Sequence, residues 1–328
     1  MARLQDVLKK LNKGKKEDDI IMLASKQPED YFVKNTTSIG SPYLDMMTNG
    51  GYTKGGFNLI IADGGVGKSS IALIAIRKEF EETGRIGVYL DGEGTLDESY
   101  MARMGVTKDM IYYVKGRSLE DMLDTAEAFS TADEVGTIII DSIPIFVSAV
   151  VEAKSAAENN MAVEARKYTA RMPIIEGNCM RRDSTLIGLT SYKLDPGAMG
   201  DPRKLPRGQW QYTMANLILE LTKKDILKDE NGEEIGHVID CRIKKSKIAS
   251  YNPKEVHKVN FYYDCGFNEF DEYTSIFIVN GMIKQGGAWF SFADTEGEEI
   301  KLNGKAQVID YLKDNEEVFN VLMERLNG

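Results

Sequence analysis

Residues 57–69 read FNLIIADGGVGKS. A run of strand-forming apolar residues stops at Asp63, three glycines follow within positions 64–67, and Lys68-Ser69 opens a new pattern. The unbroken apolar run predicts a strand buried on both faces. The stretch from about Ser69 to Thr83 predicts a helix that Gly84 stops as a C-cap. A glycine-rich turn between a strand and a helix N-terminus is built to hold phosphate. Its backbone N–H groups converge on phosphate oxygens, and the helix end adds partial positive charge. Asp63, Gly64, Gly65, Val66, Gly67, Lys68, Ser69 and Ser70 are therefore the candidate nucleotide-binding residues. In this pattern the lysine, Lys68, reaches the β- and γ-phosphates and the Ser69 hydroxyl binds Mg2+. The first position of the pattern G-x-x-x-x-G-K-[ST] is Ala62 here. Alanine is small and falls at the strand end, so the turn tolerates it. The competing reading, a glycine-rich turn without a ligand, is weakened by the strand and helix on either side.

Further strand patterns follow: IGVYLD (86–91), MIYYVK (110–115), GTIIIDS (136–142), TLIGL (185–189) and NLILELT (216–222). Ser118 caps a helix over roughly 119–132, with Asp121 placed for a capping box. Apolar strands alternating with helices indicate an α/β fold, a parallel sheet covered on both faces. HVIDCRIKK (237–245) and VNFYYD (259–264) alternate more and predict antiparallel additions. Leu4, Val7, Leu8 and Leu11 recur at helical spacing, so residues 3–12 read as an amphipathic helix. Its stripe packs either on its own domain or on a neighbouring subunit, and spacing does not name the partner. After about residue 267, short apolar segments, Gly turns and a closing helix suggest a small C-terminal α/β domain over 267–328.

Composition removes several function classes. The 328 residues carry a net charge of −10, with 42% hydrophobic and 28% charged side chains, which suits a globular chain with a sizeable core. His237 and His257 are the two histidines, and Cys179, Cys241 and Cys265 the three cysteines. No pair has zinc-ligand spacing, and a catalytic triad has only those two imidazoles to draw on. Three scattered cysteines make no disulfide framework, which suits a reducing cytosol. The N-terminal MARLQDVLKKLNKGKKEDD has no apolar signal-peptide core, and no apolar run approaches a membrane span. A cytoplasmic protein without membrane contact is expected.

Two acidic signals accompany the phosphate loop. Asp141 ends the GTIIID strand, where a carboxylate can hold the magnesium shell, the Walker B role. The plainer reading is a turn former. Asp91-Gly92-Glu93-Gly94 ends the strand after the loop's helix, and the carboxyl ends of parallel strands face the ligand crevice. Glu93 is thereby placed to activate a water for attack on a γ-phosphate; a solvated acidic turn is the alternative. Basic charge is concentrated. Residues 242–258 carry six Lys or Arg against one acidic residue, and 193–207 carry four against two. The second stretch leads into the aperiodic PGAMGDPRKLPRG (196–208) and reads as a long functional loop. Such segments in an acidic chain favour a directed polyanion groove; either could instead be a solvated charged face.

Together these pieces resemble the RecA recombinases, including the related phage recombinases. The resemblance rests on TTSIGSPYLDMMTNGGYTKGGFNLIIADGGVGKSSIAL (36–73), YLDGEGTLDESYMARMGV (89–106), IIIDSI (138–143), IKKSKIA (243–249) and GGAWFSFADTEGEEIKLNGKAQVIDYLKDN (286–315). The last segment discriminates, because generic P-loop ATPases lack it. The resemblance implies a RecA-type ATPase core over 34–266 with DNA-binding loops, after an N-terminal oligomerisation helix and linker over 1–33. It implies ATP and Mg2+ as ligands, single- and double-stranded DNA as partners, and a helical filament that catalyses homologous pairing and strand exchange. Glu93 would orient the hydrolytic water. Asp97 and Tyr100 would bind and stack the adenine. Lys245 and Lys247 would reach the ATP of the adjacent protomer. Residues about 152–162 would be the first DNA loop, with Met161 near its end and Arg166 on the next helix. Residues about 192–208 would be the second, bearing Lys193, Arg203, Lys204, Arg207 and Gly208.

This chain departs from the family pattern in places. Thr190-Ser191-Tyr192-Lys193 stands where bacterial members carry an Asn-Gln pair that senses the γ-phosphate, leaving Ser191 or Tyr192 for that role. Pro173 falls inside an expected helix, which it either interrupts or only kinks, Arg207-Gly208 replaces a Gly-Gly pair, and the chain stops at MERLNG without an acidic tail. These differences point toward a phage or divergent member. A ring-forming motor or helicase with the same core is the alternative, and a binding protein that uses ATP only for assembly is a further one.

Overall fold

A computed structural model describes residues 2–15, 21–26, 34–116, 118–149, 161–195, 197 and 202–327. Residues 1–34 and 35–328 form two compact units. In the first, helix α1 (Ala2–Asn12) exposes Leu4, Val7 and Leu11. The Asn12 side chain then exchanges two 2.8 Å hydrogen bonds with the backbone of Ile21.

The second unit is organised by an eight-stranded sheet. Its strands are β1 (Phe57–Ala62), β2 (Ile86–Asp91), β3 (Ile111–Lys115), β4 (Val135–Asp141), β5 (Thr185–Thr190), β6 (Leu217–Lys228), β7 (Glu234–Ser246) and β8 (His257–Tyr262). Their spatial order is β8-β7-β6-β1-β5-β4-β2-β3. From β6 to β3 all neighbours are parallel, while β7 and β8 add antiparallel to the β6 side. The sheet is thus α/β and mostly parallel, as the apolar runs require. Alternate residues serve opposite layers. Ile60 and Ala62 enter one buried cluster with the helix α3 (Lys68–Thr83), whereas Phe57, Leu59 and Ile61 enter another with α5 (Leu119–Phe129) and α6 (Met161–Arg182). Gly84 ends α3 at φ 72°, donating its N–H to Phe80 O at 2.8 Å. Ser118 caps α5 by accepting the Asp121 N–H at 3.1 Å.

Several boundaries shift by a few residues from the sequence expectation, and the largest shift is in β6. β6 runs six residues past Thr222, because its far half pairs with β7 as a hairpin closed over residues 229–233, with Gly232 at φ 83°. Its exposed lysines conceal the strand from an apolar-run reading. Pro173 lies within α6, which continues past it.

Three further helices, α2 (Pro42–Thr48), α4 (Glu98–Arg103) and α7 (Trp210–Met214), sit at the ends of sheet strands or between them. Beyond β8 come α8 (Glu269–Val279), three antiparallel strands (Lys284–Gly286, Trp289–Ala293 and Glu299–Asn303), α9 (Lys305–Asp314) and α10 (Glu316–Asn327). They close over their own apolar cluster, including Phe277, Phe290, Phe292, Val308 and Leu322. Among the described residues no helix is long and apolar enough to cross a membrane.

Candidate functional site

The fully buried β1 delivers the chain into the glycine turn at the carboxyl edge of the sheet. Gly65 and Gly67 take φ 73° and 108°, left-handed values that a side chain disfavours. A Cβ at Gly67 would come within 3.2 Å of the Phe261 ring, while Gly64 and Gly65 face open space. The turn is therefore tight behind and open in front, as a phosphate cradle must be. Lys68 opens α3 and donates from Nζ to the Asp63 carbonyl at 3.0 Å. Burial lowers its pKa, against the pull of Asp141, Glu93 and Asp63. The Ser69 hydroxyl donates to Asp141 Oδ2 at 2.6 Å, and the Tyr89 hydroxyl donates to the same oxygen. Burial raises the Asp141 pKa despite those two bonds.

The DGEG segment divides its work. Asp91 pairs in register with Asp141 on the neighbouring strand. Its Oδ1 accepts the N–H groups of Glu93 (2.9 Å) and Gly94 (2.7 Å), and its Oδ2 accepts the Tyr113 hydroxyl (2.9 Å). Asp91 thus folds the turn, and Glu93 is left to line the cavity, with Ser142 Oγ at 3.4 Å from its Oε1.

That cavity, of about 630 Å³, is floored by Gly64, Gly65, Gly67, Lys68, Ser69 and Ser70, with Glu93 and Asp141 beside them. Tyr100 forms a wall, its hydroxyl 2.7 Å from Ser70 Oγ, and the Arg103 guanidinium stands 5.5 Å from its ring centroid. Asp97 caps α4 through Tyr100 N–H at 2.7 Å and does not line the cavity. The opposite wall was not anticipated from sequence: His237, Phe261, Tyr263 and Asp264. His237 packs 5.5 Å from the Phe261 ring and 5.6 Å from Tyr263, with Nε2 3.1 Å from the Val66 carbonyl. Alternation in VNFYYD puts Phe261 and Tyr263 on one face. Only the docking of β7 and β8 beside β6 turns that face toward the loop.

These residues fit a Mg2+-nucleotide. The open face at Gly64 and Gly65, the Lys68 ammonium and the hard oxygens of Ser69 and Asp141 suit phosphate and magnesium. Among the described residues no group of three or more His, Cys, Asp or Glu could hold a metal. Remaining magnesium ligands would then be phosphate oxygens and water.

A second charged region follows β5. Lys193–Leu194 pairs antiparallel with Arg203–Lys204, and Lys193, Arg203 and Lys204 are exposed. Lys204 Nζ lies 2.6 Å from Asp195, and Arg203 lies 3.6 Å from Glu220 and over the Tyr192 ring. Arg207, at φ 63°, is turned inward: it pairs with the buried Glu164 and donates to the Pro144 carbonyl at 2.9 Å. Burial lowers its pKa. Gly208 follows at φ 101°. Arg166 is exposed on α6, and Met161 begins that helix. Residues 152–160 of the expected first DNA loop, and 196 and 198–201 of the second, lie outside the described residues.

Lys245 and Lys247 do not line the nucleotide cavity of their own chain. Lys245 donates to the carbonyls of Tyr212 (2.8 Å) and Thr213 (2.9 Å), and Lys247 to Met214 (3.3 Å) and the Asn216 side chain (2.5 Å). They cap the carbonyl end of α7, where cations are favoured. Ser191 and Tyr192 also lie off the cavity, with the Tyr192 hydroxyl on Glu220 Oε2 at 2.8 Å.

Residues 2–268 match the family described as the RecA N-terminal domain. Protein RecA from Staphylococcus aureus strains JH9 and Newman is 28% identical over 298 residues, spanning 89% of this chain and 84% of the relative. The matched span takes in the phosphate loop, the Asp141 strand, the basic hairpin and the aromatic wall, and the chain belongs to the RecA family.

Proposed function

We propose that this protein is a DNA-dependent ATPase that assembles as a helical filament on single-stranded DNA and promotes homologous pairing and strand exchange. The observation that carries the reading is the convergence of Lys68, Ser69, Asp141 and Glu93 on one glycine-floored cavity in a RecA-family chain.

The chemistry follows from those side chains. Backbone N–H groups of 64–67 and the Lys68 ammonium hold the β- and γ-phosphates and offset their charge. Ser69 and Asp141 would hold Mg2+, which neutralises charge on the phosphate oxygens. Glu93 accepts a proton from a water aligned with the γ-phosphorus. The water oxygen bonds to phosphorus as the bond to the β–γ bridging oxygen breaks, leaving ADP and phosphate. Tyr100 and Arg103 offer an aromatic and cationic face to the base. Lys245 and Lys247 would serve the nucleotide of the adjacent protomer, which suits their absence from the cavity of their own chain. Turnover is then tied to assembly, and loss of the γ-phosphate loosens the interface. Helix α1 would dock on that neighbour through its exposed Leu4, Val7 and Leu11.

Arg166, Lys193, Arg203 and Lys204 would contact DNA phosphates, with Met161 beside the bases. Phosphate contact and stacking carry no sequence code, so recognition of homology falls to base pairing. Strand exchange between homologous DNAs with Mg-ATP tests this reading. The wild-type protein is expected to exchange strands. Glu93→Gln is expected to form filaments and bind ATP while hydrolysis falls about 10²-fold or more. Closed rings by electron microscopy, without exchange, would favour a motor instead.

A further inference from the structure

Glu220 is 5% exposed, on a strand whose other inward residues are aliphatic. Ile218, two residues earlier on the same face, joins the apolar cluster under α5 and α6. An isolated carboxylate at such depth is unfavourable unless it is paired. Its partners come from three other segments. The Tyr192 hydroxyl, just past β5, donates to Oε2 at 2.8 Å. Arg203, in the basic hairpin, reaches 3.6 Å from the same oxygen and lies 5.1 Å over the Tyr192 ring. Arg242, on β7, stands 3.9 Å from Oε1.

The backbone register gives this cluster its reach. Glu220 sits opposite Ile61 of β1 on one side and Arg242 of β7 on the other, and Thr190 of β5 sits opposite Ile61. One row across the sheet thus runs from the root of the basic hairpin, past the residue before Ala62, to the strand that carries Lys245. The exposed Arg203 already faces the Glu220 carboxylate, and a DNA phosphate would compete for the same guanidinium. A ligand that binds one of these arrangements better shifts the balance between them.

We propose that Glu220 is a positioning residue that couples occupancy of the basic hairpin to ATP turnover, by tying Tyr192, Arg203 and Arg242 to the sheet row beside the phosphate loop. This rests on the DNA-dependent ATPase reading above. When a DNA phosphate draws Arg203 outward, Glu220 keeps Tyr192 and Arg242. The change then reaches β5 and β7 rather than ending in the hairpin.

Glu220→Gln keeps the shape and the acceptor for Tyr192 and removes the charge. ATP turnover is measured with and without saturating single-stranded DNA, and DNA affinity is measured with a non-hydrolysable ATP analogue over a salt series. DNA-free turnover and DNA affinity are expected to stay within about twofold, while the stimulation by DNA falls about tenfold. Tyr192→Phe, which removes one hydroxyl and guards against a folding defect, is expected to lower stimulation about threefold. The double variant is expected to be no worse than Glu220→Gln, since the two act through one contact. Unchanged stimulation in Glu220→Gln and Tyr192→Phe, or a loss that merely follows a matching loss of DNA affinity, overturns the proposal. A wild-type protein whose turnover ignores DNA overturns the functional reading and this inference with it. A stimulated wild type with unaltered variants overturns the inference alone.

Discussion

In the phosphate loop, residues 63–70 are contiguous, the groups proposed to hold the anion are mostly backbone N–H, and the proposed cation is Lys68. In the basic hairpin, Lys193, Arg203 and Lys204 present side chains from two short strands, and Arg203 is steadied by Tyr192 and Glu220. The loop fixes its dipoles by geometry and tolerates Ala62 at its entrance. The hairpin depends on charge and on side-chain partners, Tyr192 and Glu220, that lie outside its two strands. A backbone cradle suits a ligand that must be held in one register for chemistry. A side-chain surface suits a polymer whose register should not matter.

The largest effect that separates the two regions is expected from Lys68→Ala. Phosphate release should fall about 10³-fold, with nucleotide-dependent assembly lost. Retained turnover would break the assignment of the loop. Arg207→Ala sharpens the comparison from within the basic segment. Arg207 is paired with the buried Glu164, so its loss is expected to destabilise the protein by about 3 kcal/mol or more in denaturant unfolding. The salt dependence of DNA binding should stay as it was. The converse is expected of Arg203→Gln with Lys204→Gln: stability within about 0.5 kcal/mol, and a slope of log affinity against log salt shallower by about 1.4. Reversed outcomes would exchange the roles of Arg207 and the hairpin cations.

The smallest effect lies away from both regions. Glu272 on α8 accepts the Ser41 hydroxyl at 2.6 Å and the Tyr43 N–H at 3.0 Å. Burial first, then Asp45 and Asp271, push its carboxyl up to about 7 against those hydrogen bonds. A carboxyl raised on folding weighs against the folded state once ionised. The effect is absent below its ordinary pKa and complete above about 7. Glu272→Gln is therefore expected to raise the melting temperature at pH 8 and leave it unchanged near pH 4. A gain of equal size at both pH values would remove the ionisation argument.

The loop, the Asp141 strand and the parallel character of the sheet were legible because each leaves a local pattern: a glycine turn, an apolar run, strands alternating with helices. The order of the strands was not. Lys245 and Lys247 were legible as charge and by family resemblance. Their actual resting place on the α7 carbonyls depends on a chain crossing that no local pattern encodes. Arg207 looked like its neighbours because its partner, Glu164, lies 43 residues away. The aromatic wall of His237, Phe261 and Tyr263 and the Glu220 cluster depend on strand register, which a sequence read alone leaves open. Glu93 was put forward over Asp91 from sequence, but the part Asp91 plays, accepting the N–H groups of its own turn, shows only in the folded chain.

The central claim is that nucleotide bound at this loop assembles the protein on DNA. Sedimentation of the protein with Mg2+, a non-hydrolysable ATP analogue and an unpaired oligonucleotide tests it most directly. A fast-sedimenting species that needs both the analogue and the DNA, and that Lys68→Ala fails to form, is expected. An unchanged sedimentation coefficient when analogue and DNA are added to the wild-type protein would contradict it.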